Sequence, residues 1–143
     1  MLLPNREGAR AEGCQWRGDG ELVGVDPGGT TGLVRLTSQG CQTGEVRGLG
    51  DLRRWVSGAA VVVMEDFLGS GGRGVNYRDP LTVIGAVSLI CLEEGVPLVL
   101  QSPARPTRRD KDLAARLIRG RHARSALAHL ICWGRRDGRL SLV

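Results

Sequence analysis

Leu22-Val23-Gly24-Val25 is a short apolar run that stops at a polar turn, and the same punctuation recurs along the chain. The run predicts a central strand. The turn Asp26-Pro27-Gly28-Gly29-Thr30-Thr31-Gly32 is built from residues that tolerate unusual backbone angles. Leu33 to Thr37 predicts the returning strand of a hairpin, and Cys41 to Arg47 a more weakly patterned third strand. Asp51 to Val56 predicts a short helix capped by Asp51. Ala59 to Met64 carries continuous branched apolar residues, as expected of a parallel strand buried on both faces, and runs into Glu65-Asp66. Pro80 to Glu94 predicts a buried helix with Gly95 after its end. Pro97 to Gln101 predicts a strand, and Lys111 to Arg119 a helix closed by Gly120. Ala123, Ala126, Leu127, Leu130 and Ile131 recur at i, i+3, i+4, i+7 and i+8, one apolar face of a last helix. A hairpin meander followed by alternating helices and strands predicts an α/β fold, a mixed sheet with helices on its faces.

Outside that pattern lie the two ends. Residues 1–20 are rich in Gly, Arg and Glu without periodicity and are expected to form a disordered arm. Residues 135–143 are expected to be a frayed basic tail. Residues 21–134 are then the folded domain, and a chain of 143 residues suits one core. No apolar run approaches a membrane span, and the charged start does not suit a signal peptide.

Charge changes the picture more than composition does. Lys and Arg total 20 against 15 Asp and Glu, a net charge of +5 that suits a polyanionic partner. Cys14, Cys41, Cys91 and Cys132 form no CxxC pair and match no zinc module, so a reduced cytosolic setting is the simpler reading.

Candidate chemistry collects at strand ends. Asp26 ends the first strand and Glu65 ends the most apolar one. If the two strands are neighbours, both carboxylates leave the sheet at one edge, where their repulsion calls for a divalent cation. Asp66 points to the other face if the backbone stays extended. His122 and Ser125 are one helical turn apart and would meet the two acids from the last helix. His129 lies about 10 Å further along the axis, from the helical rise, and is expected to be a half-buried or surface residue. Cys132 is expected in the core.

Val23-Gly24-Val25-Asp26-Pro27-Gly28 with Thr31-Gly32-Leu33 resembles the first-strand motif of RuvC-type Holliday junction resolvases. Val61-Val62-Val63-Met64-Glu65-Asp66-Phe67 resembles their second acidic motif. Arg121 to Leu130 is similar to the C-terminal helix of phage-type relatives, where His, two residues, Asp and Ala are common. The resemblance runs from about Leu22 to Trp133. It implies a ribonuclease H-like fold, with antiparallel strands leading into parallel ones and helices on both faces. It also implies a crossover-junction endodeoxyribonuclease that hydrolyses phosphodiesters with Mg²⁺ or Mn²⁺, acts on branched DNA, works as a homodimer and belongs to a bacterial or phage-infected cytoplasm. Asp26, Glu65 and His122 would be the metal ligands. The fourth catalytic position, normally an acid, is Ser125 here, which leaves a catalytically weak junction-binding relative as an alternative.

Two basic stretches would serve DNA. In the Gly-rich loop, Arg73 and Arg78 would hold phosphates while Tyr77 stacks on a base; a flexible surface loop is the other reading. Arg105, Arg108, Arg109 and Lys111 form a second cluster, for phosphate contact or simply for solvation. The Asp26–Thr31 turn is also similar to the phosphate loop of the actin and sugar-kinase superfamily, so a phosphate-binding module is a further alternative. Walker, GxSxG and HExxH motifs are absent from the sequence.

Overall fold

The computed structural model describes residues 2–4, 10–16, 20–37, 40–67, 78–137 and 140–142. In chain order the elements are β1 (Leu2–Pro4), β2 (Arg10–Trp16), β3 (Leu22–Asp26), β4 (Thr30–Thr37), β5 (Gly40–Arg47), α1 (Leu52–Val56), β6 (Val61–Glu65), α2 (Arg78–Glu94), β7 (Leu98–Gln101), α3 (Arg108–Leu117), α4 (Arg121–Arg136) and β8 (Leu140–Leu142). A five-stranded sheet has the order β5-β4-β3-β6-β7. β3, β4 and β5 pair antiparallel, whereas β6 joins β3 and β7 joins β6 in parallel. This is the mixed α/β sheet expected of a ribonuclease H-like fold.

Strand alternation sorts the core into two layers. Val23, Val25, Leu33, Val62 and Met64 pack with α1 and α2. Leu22, Val34, Leu36, Val61 and Val63 face α3 and α4. Asp26 and Glu65 continue the second set by parity, so both carboxylates lie on the α4 face.

α4 is the most buried helix of that face, and two glycines let it approach. A Cβ at Gly24 would sit 2.6 Å from the Ala126 carbonyl oxygen. A Cβ at Gly32 would overlap the His122 carbonyl and lie 2.7 Å from the Ala123 nitrogen. The helix backbone thus rests on strand backbone where a side chain would hold it off.

The ends of α4 are also tied. Arg124 Nε donates to the Ile118 carbonyl at 2.9 Å, pinning the α3–α4 connection. At the far end Arg135 donates to buried Asp110 at 2.5 Å. Asp110 also closes the capping box with Thr107 at the start of α3. That box begins α3 at Arg108, three residues before the expected Lys111, and the helix ends at Leu117.

Several expectations need correction. Residues 1–20 are not without regular structure: β1 and β2 pair antiparallel, and β8, in the expected tail, pairs with β2 through Trp16↔Leu140. The β2–β8 pair joins strands so distant in sequence that it leaves no local signature, because the partner rather than the pattern stabilises it. The last helix continues to Arg136, beyond the expected boundary at residue 134. Asp51 occupies the N-cap of α1 but makes no side-chain capping bond. No helix among the described residues is long and apolar enough to cross a membrane.

The close approach makes Gly32 sensitive. Gly32→Ala should lower the unfolding free energy by about 2 kcal/mol or more, because backbone must move to admit the methyl group. Urea denaturation checks this; an unchanged midpoint would show that α4 does not need the contact.

Candidate active site

Parallel pairing of β3 with β6 sets Val25 beside Met64, so the next residues, Asp26 and Glu65, emerge side by side. α4 crosses above them. His122 Nδ1 stands 3.9 Å from Asp26 Oδ2. Ser125, one turn on, donates its hydroxyl to Glu65 Oε2 at 3.3 Å. The four residues singled out from the sequence therefore converge at one sheet edge.

Burial and the neighbouring Glu65 push the Asp26 carboxyl up to about 8, while Ser125 and Arg121 pull it partly back. Burial also pushes Glu65 up, but the His129 imidazole, the Asp26 carboxyl and Ser125 outweigh it and hold Glu65 below its ordinary value. Burial and mutual repulsion thus favour a proton on the pair, with Asp26 the carboxyl pushed up and Glu65 the one held down. Two half-buried carboxylates that repel each other suit a hard divalent cation, which would take the place of a proton between them. Among the described residues no three His, Cys, Asp or Glu side chains form a ready-made metal cluster. The donor set is a carboxylate pair with His122 just beyond contact, and Asp26, Glu65 and His122 are the residues that would hold the ion.

His129 corrects the sequence reading. It is buried at 2% exposure rather than half-buried or at the surface, and its Nε2 lies 3.5 Å from Glu65 Oε2. Its distance along α4 from His122 is real, but β6 runs beneath the helix and brings Glu65 to it. Gln101, level with Glu65 on β7, donates from Nε2 to the His129 carbonyl at 3.0 Å. Nothing in the sequence marked Gln101. The i, i+7 spacing of the two histidines was the available signal for His129.

A groove of about 280 Å³ opens beside Glu65, lined also by Lys111, Arg124, Ser125 and His129. Lys111 thus reaches the site. Arg105 is exposed, between the groove residues Pro103 and Pro106, and Arg108 pairs with Asp112 at 3.5 Å on the outer side of α3. Arg78 begins α2. Arg73 and Tyr77 lie outside the described residues. Arg121 and Arg124, close to the carboxylates, were not singled out from the sequence. Asp66 Oδ1 accepts from the Phe67 amide at 2.9 Å. Thr31, buried in the hairpin turn, donates its hydroxyl to the Gly28 carbonyl at 3.2 Å, so it serves the turn itself. Cys91 and Cys132 are free thiols, and Cys132 is in the core as expected.

No protein-family model matches the chain, and no curated protein matches it. Solved structures do. The Thermus thermophilus RuvC structure aligns with a TM-score of 0.64 at 17% sequence identity, over 86% of this chain and 99% of that one. T. thermophilus RuvC in complex with Holliday junction substrate aligns with a TM-score of 0.64 at 17% identity, over 87% and 100%. The likeness is one of fold: the chain has the RuvC-like, ribonuclease H-like architecture.

The raised Asp26 carboxyl has a consequence for stability. Without metal, its contribution is fully present below the unfolded value near 3.8 and is lost as pH rises through about 8. Asp26→Asn should therefore stabilise the metal-free protein. The gain should widen from pH 5 to pH 8 and reach on the order of 1 kcal/mol or more. Thermal melting in chelator checks this; equal melting temperatures across that range would refute it.

Proposed function

We propose that the chain is a structure-selective, divalent-metal-dependent DNA endonuclease that cuts Holliday junctions or other branched DNA by phosphodiester hydrolysis. The observation that carries the reading is the Asp26–Glu65 pair beneath His122 in a RuvC-like fold. A neighbour of the same fold is described in complex with Holliday junction substrate. Mg²⁺ or Mn²⁺ bound by Asp26, Glu65 and His122 would supply an activated water and charge stabilisation at the leaving oxygen. Lys111 and Arg124 line the groove, where cationic side chains orient a phosphate. Arg121 adds positive charge near Asp26. The cell that houses this chemistry would be bacterial or phage-infected, with the protein in its cytoplasm.

A specific observation favours a second reading, a weakly catalytic junction binder. Where the fourth acid is expected, Ser125 brings a hydroxyl that donates to Glu65 and adds no negative charge. One experiment separates the two. Wild-type protein should nick four-way junctions with Mg²⁺ or Mn²⁺, and Asp26→Asn should lose at least about 100-fold in rate while still binding the junction. Binding without cleavage by the wild type, joined to a gain of cleavage in Ser125→Asp, would favour the second reading. No cleavage by either protein would sink the nuclease assignment.

A homodimer would offer two sites to a junction with two strands to cut. α2 supports it. Leu81, Gly85, Ser88, Leu89 and Leu92 fall within one arc of about 100° on the helix, opposite buried Val83, Val87 and Ile90. Leu81, Leu89 and Leu92 are 51%, 54% and 80% exposed, an apolar stripe without cover from the described residues. Light scattering should report a dimer that Leu92→Arg converts to monomer; a dimer that survives the substitution would exclude this face.

A further inference from the structure

Gln101 and His129 form a buried pair behind Glu65. Gln101 is 7% exposed and His129 2%, so neither has bulk water as an alternative partner. The Gln101 Nε2 group faces two atoms at once: the His129 carbonyl oxygen at 3.0 Å and the His129 Nδ1 at 2.9 Å. A carbonyl only accepts, so the nitrogen of the side-chain amide, not its oxygen, must face this corner. Its second hydrogen then points at Nδ1, which must accept with its lone pair. The imidazole proton is therefore left on Nε2, the nitrogen 3.5 Å from Glu65 Oε2. Ser125 donates to that same Oε2 at 3.3 Å. Two donors thus converge on one oxygen of Glu65, from consecutive turns of α4.

We propose that Gln101 and His129 are positioning residues: Gln101 fixes the His129 tautomer, and the Nε2–H so presented, with the Ser125 hydroxyl, anchors Glu65 Oε2 and sets the carboxylate for a divalent cation. The inference rests on the metal-dependent reading given above and adds to it the device that orients one ligand. It also gives Ser125 a role that needs no charge. Where an acid would bind the ion directly, Ser125 steadies the acid that does. A partner behind a ligand fixes ligand direction and basicity, and its loss typically weakens metal affinity about 10–100-fold.

The test uses the full chain. The protein has two histidines, so His122→Asn assigns their ring nitrogen signals. In the metal-free protein His129 should show a protonated Nε2 and an unprotonated Nδ1, and Gln101→Leu should abolish that preference. Calorimetry with Mn²⁺ should show affinity falling about 10–100-fold in Gln101→Leu and His129→Leu. His129→Gln, which can return an N–H to the Nε2 position, should recover most of it. Melting curves establish that each variant is folded, and Gln101→Leu carries the test if His129→Leu is not. A protonated Nδ1, or wild-type Mn²⁺ affinity in a folded Gln101→Leu, would overturn the proposal. Mn²⁺ uptake that depends on the pair, in a protein that leaves every junction uncut, would uphold it and sink the nuclease reading instead. A wild type that takes up no Mn²⁺ would overturn both.

Discussion

The seating of α4 on the sheet is the constraint from which the site follows. Gly24 and Gly32 remove the side chains that would stand between helix and strand. Only then do His122, Ser125 and His129 come within reach of carboxylates that project from strand ends. A helix held off by a methyl group would still bury Leu127, Leu130 and Ile131, so the fold would survive in outline. The polar contacts would not, because they tolerate far less displacement than apolar packing does. The two glycines give up strand propensity and gain registration between two elements that carry different halves of one site.

That registration creates an electrostatic conflict. Asp26 and Glu65 are placed side by side, partly buried, and the Asp26 carboxyl is pushed up as a result. Evolution toward stability alone would separate them or neutralise one. Strain of this kind, kept where a cation would relieve it, is the pattern expected of a functional centre rather than a structural ion pair. The Asp110–Arg135 pair shows the contrast: opposite charges held together, with Asp110 also closing a capping box.

Most of the sheet was legible from local pattern. The runs at Leu22 and Val61 are continuous and branched, and each stops at an acid, so strand and site candidate were read from the same few residues. The start of α3 is hidden because the Thr107–Asp110 capping box lies in a stretch that reads as a basic, Pro-rich loop. β2 and β8 escape local pattern because they pair across most of the chain. His129 is masked for a related reason. Its position on the helix was clear, but its value depends on Glu65 and Gln101 being level on neighbouring strands, which is a property of sheet register. Gln101 carries no signal by itself, since one glutamine after an apolar strand is unremarkable chemistry until its partner is known.

The pairing of Asp110 with Arg135 joins the beginning of α3 to the end of α4, and the Arg124 contact with Ile118 joins their other ends. Lys111, at the lip of the groove, and His129, at its floor, therefore belong to one mechanical unit. Contiguous units of this kind are the ones that tend to open as a single increment of local unfolding. The cationic side chains of the groove and the side chains that meet the carboxylates share that unit. A molecule opened along this seam would then lose both sides of the groove at once, and no intermediate with half a site is expected.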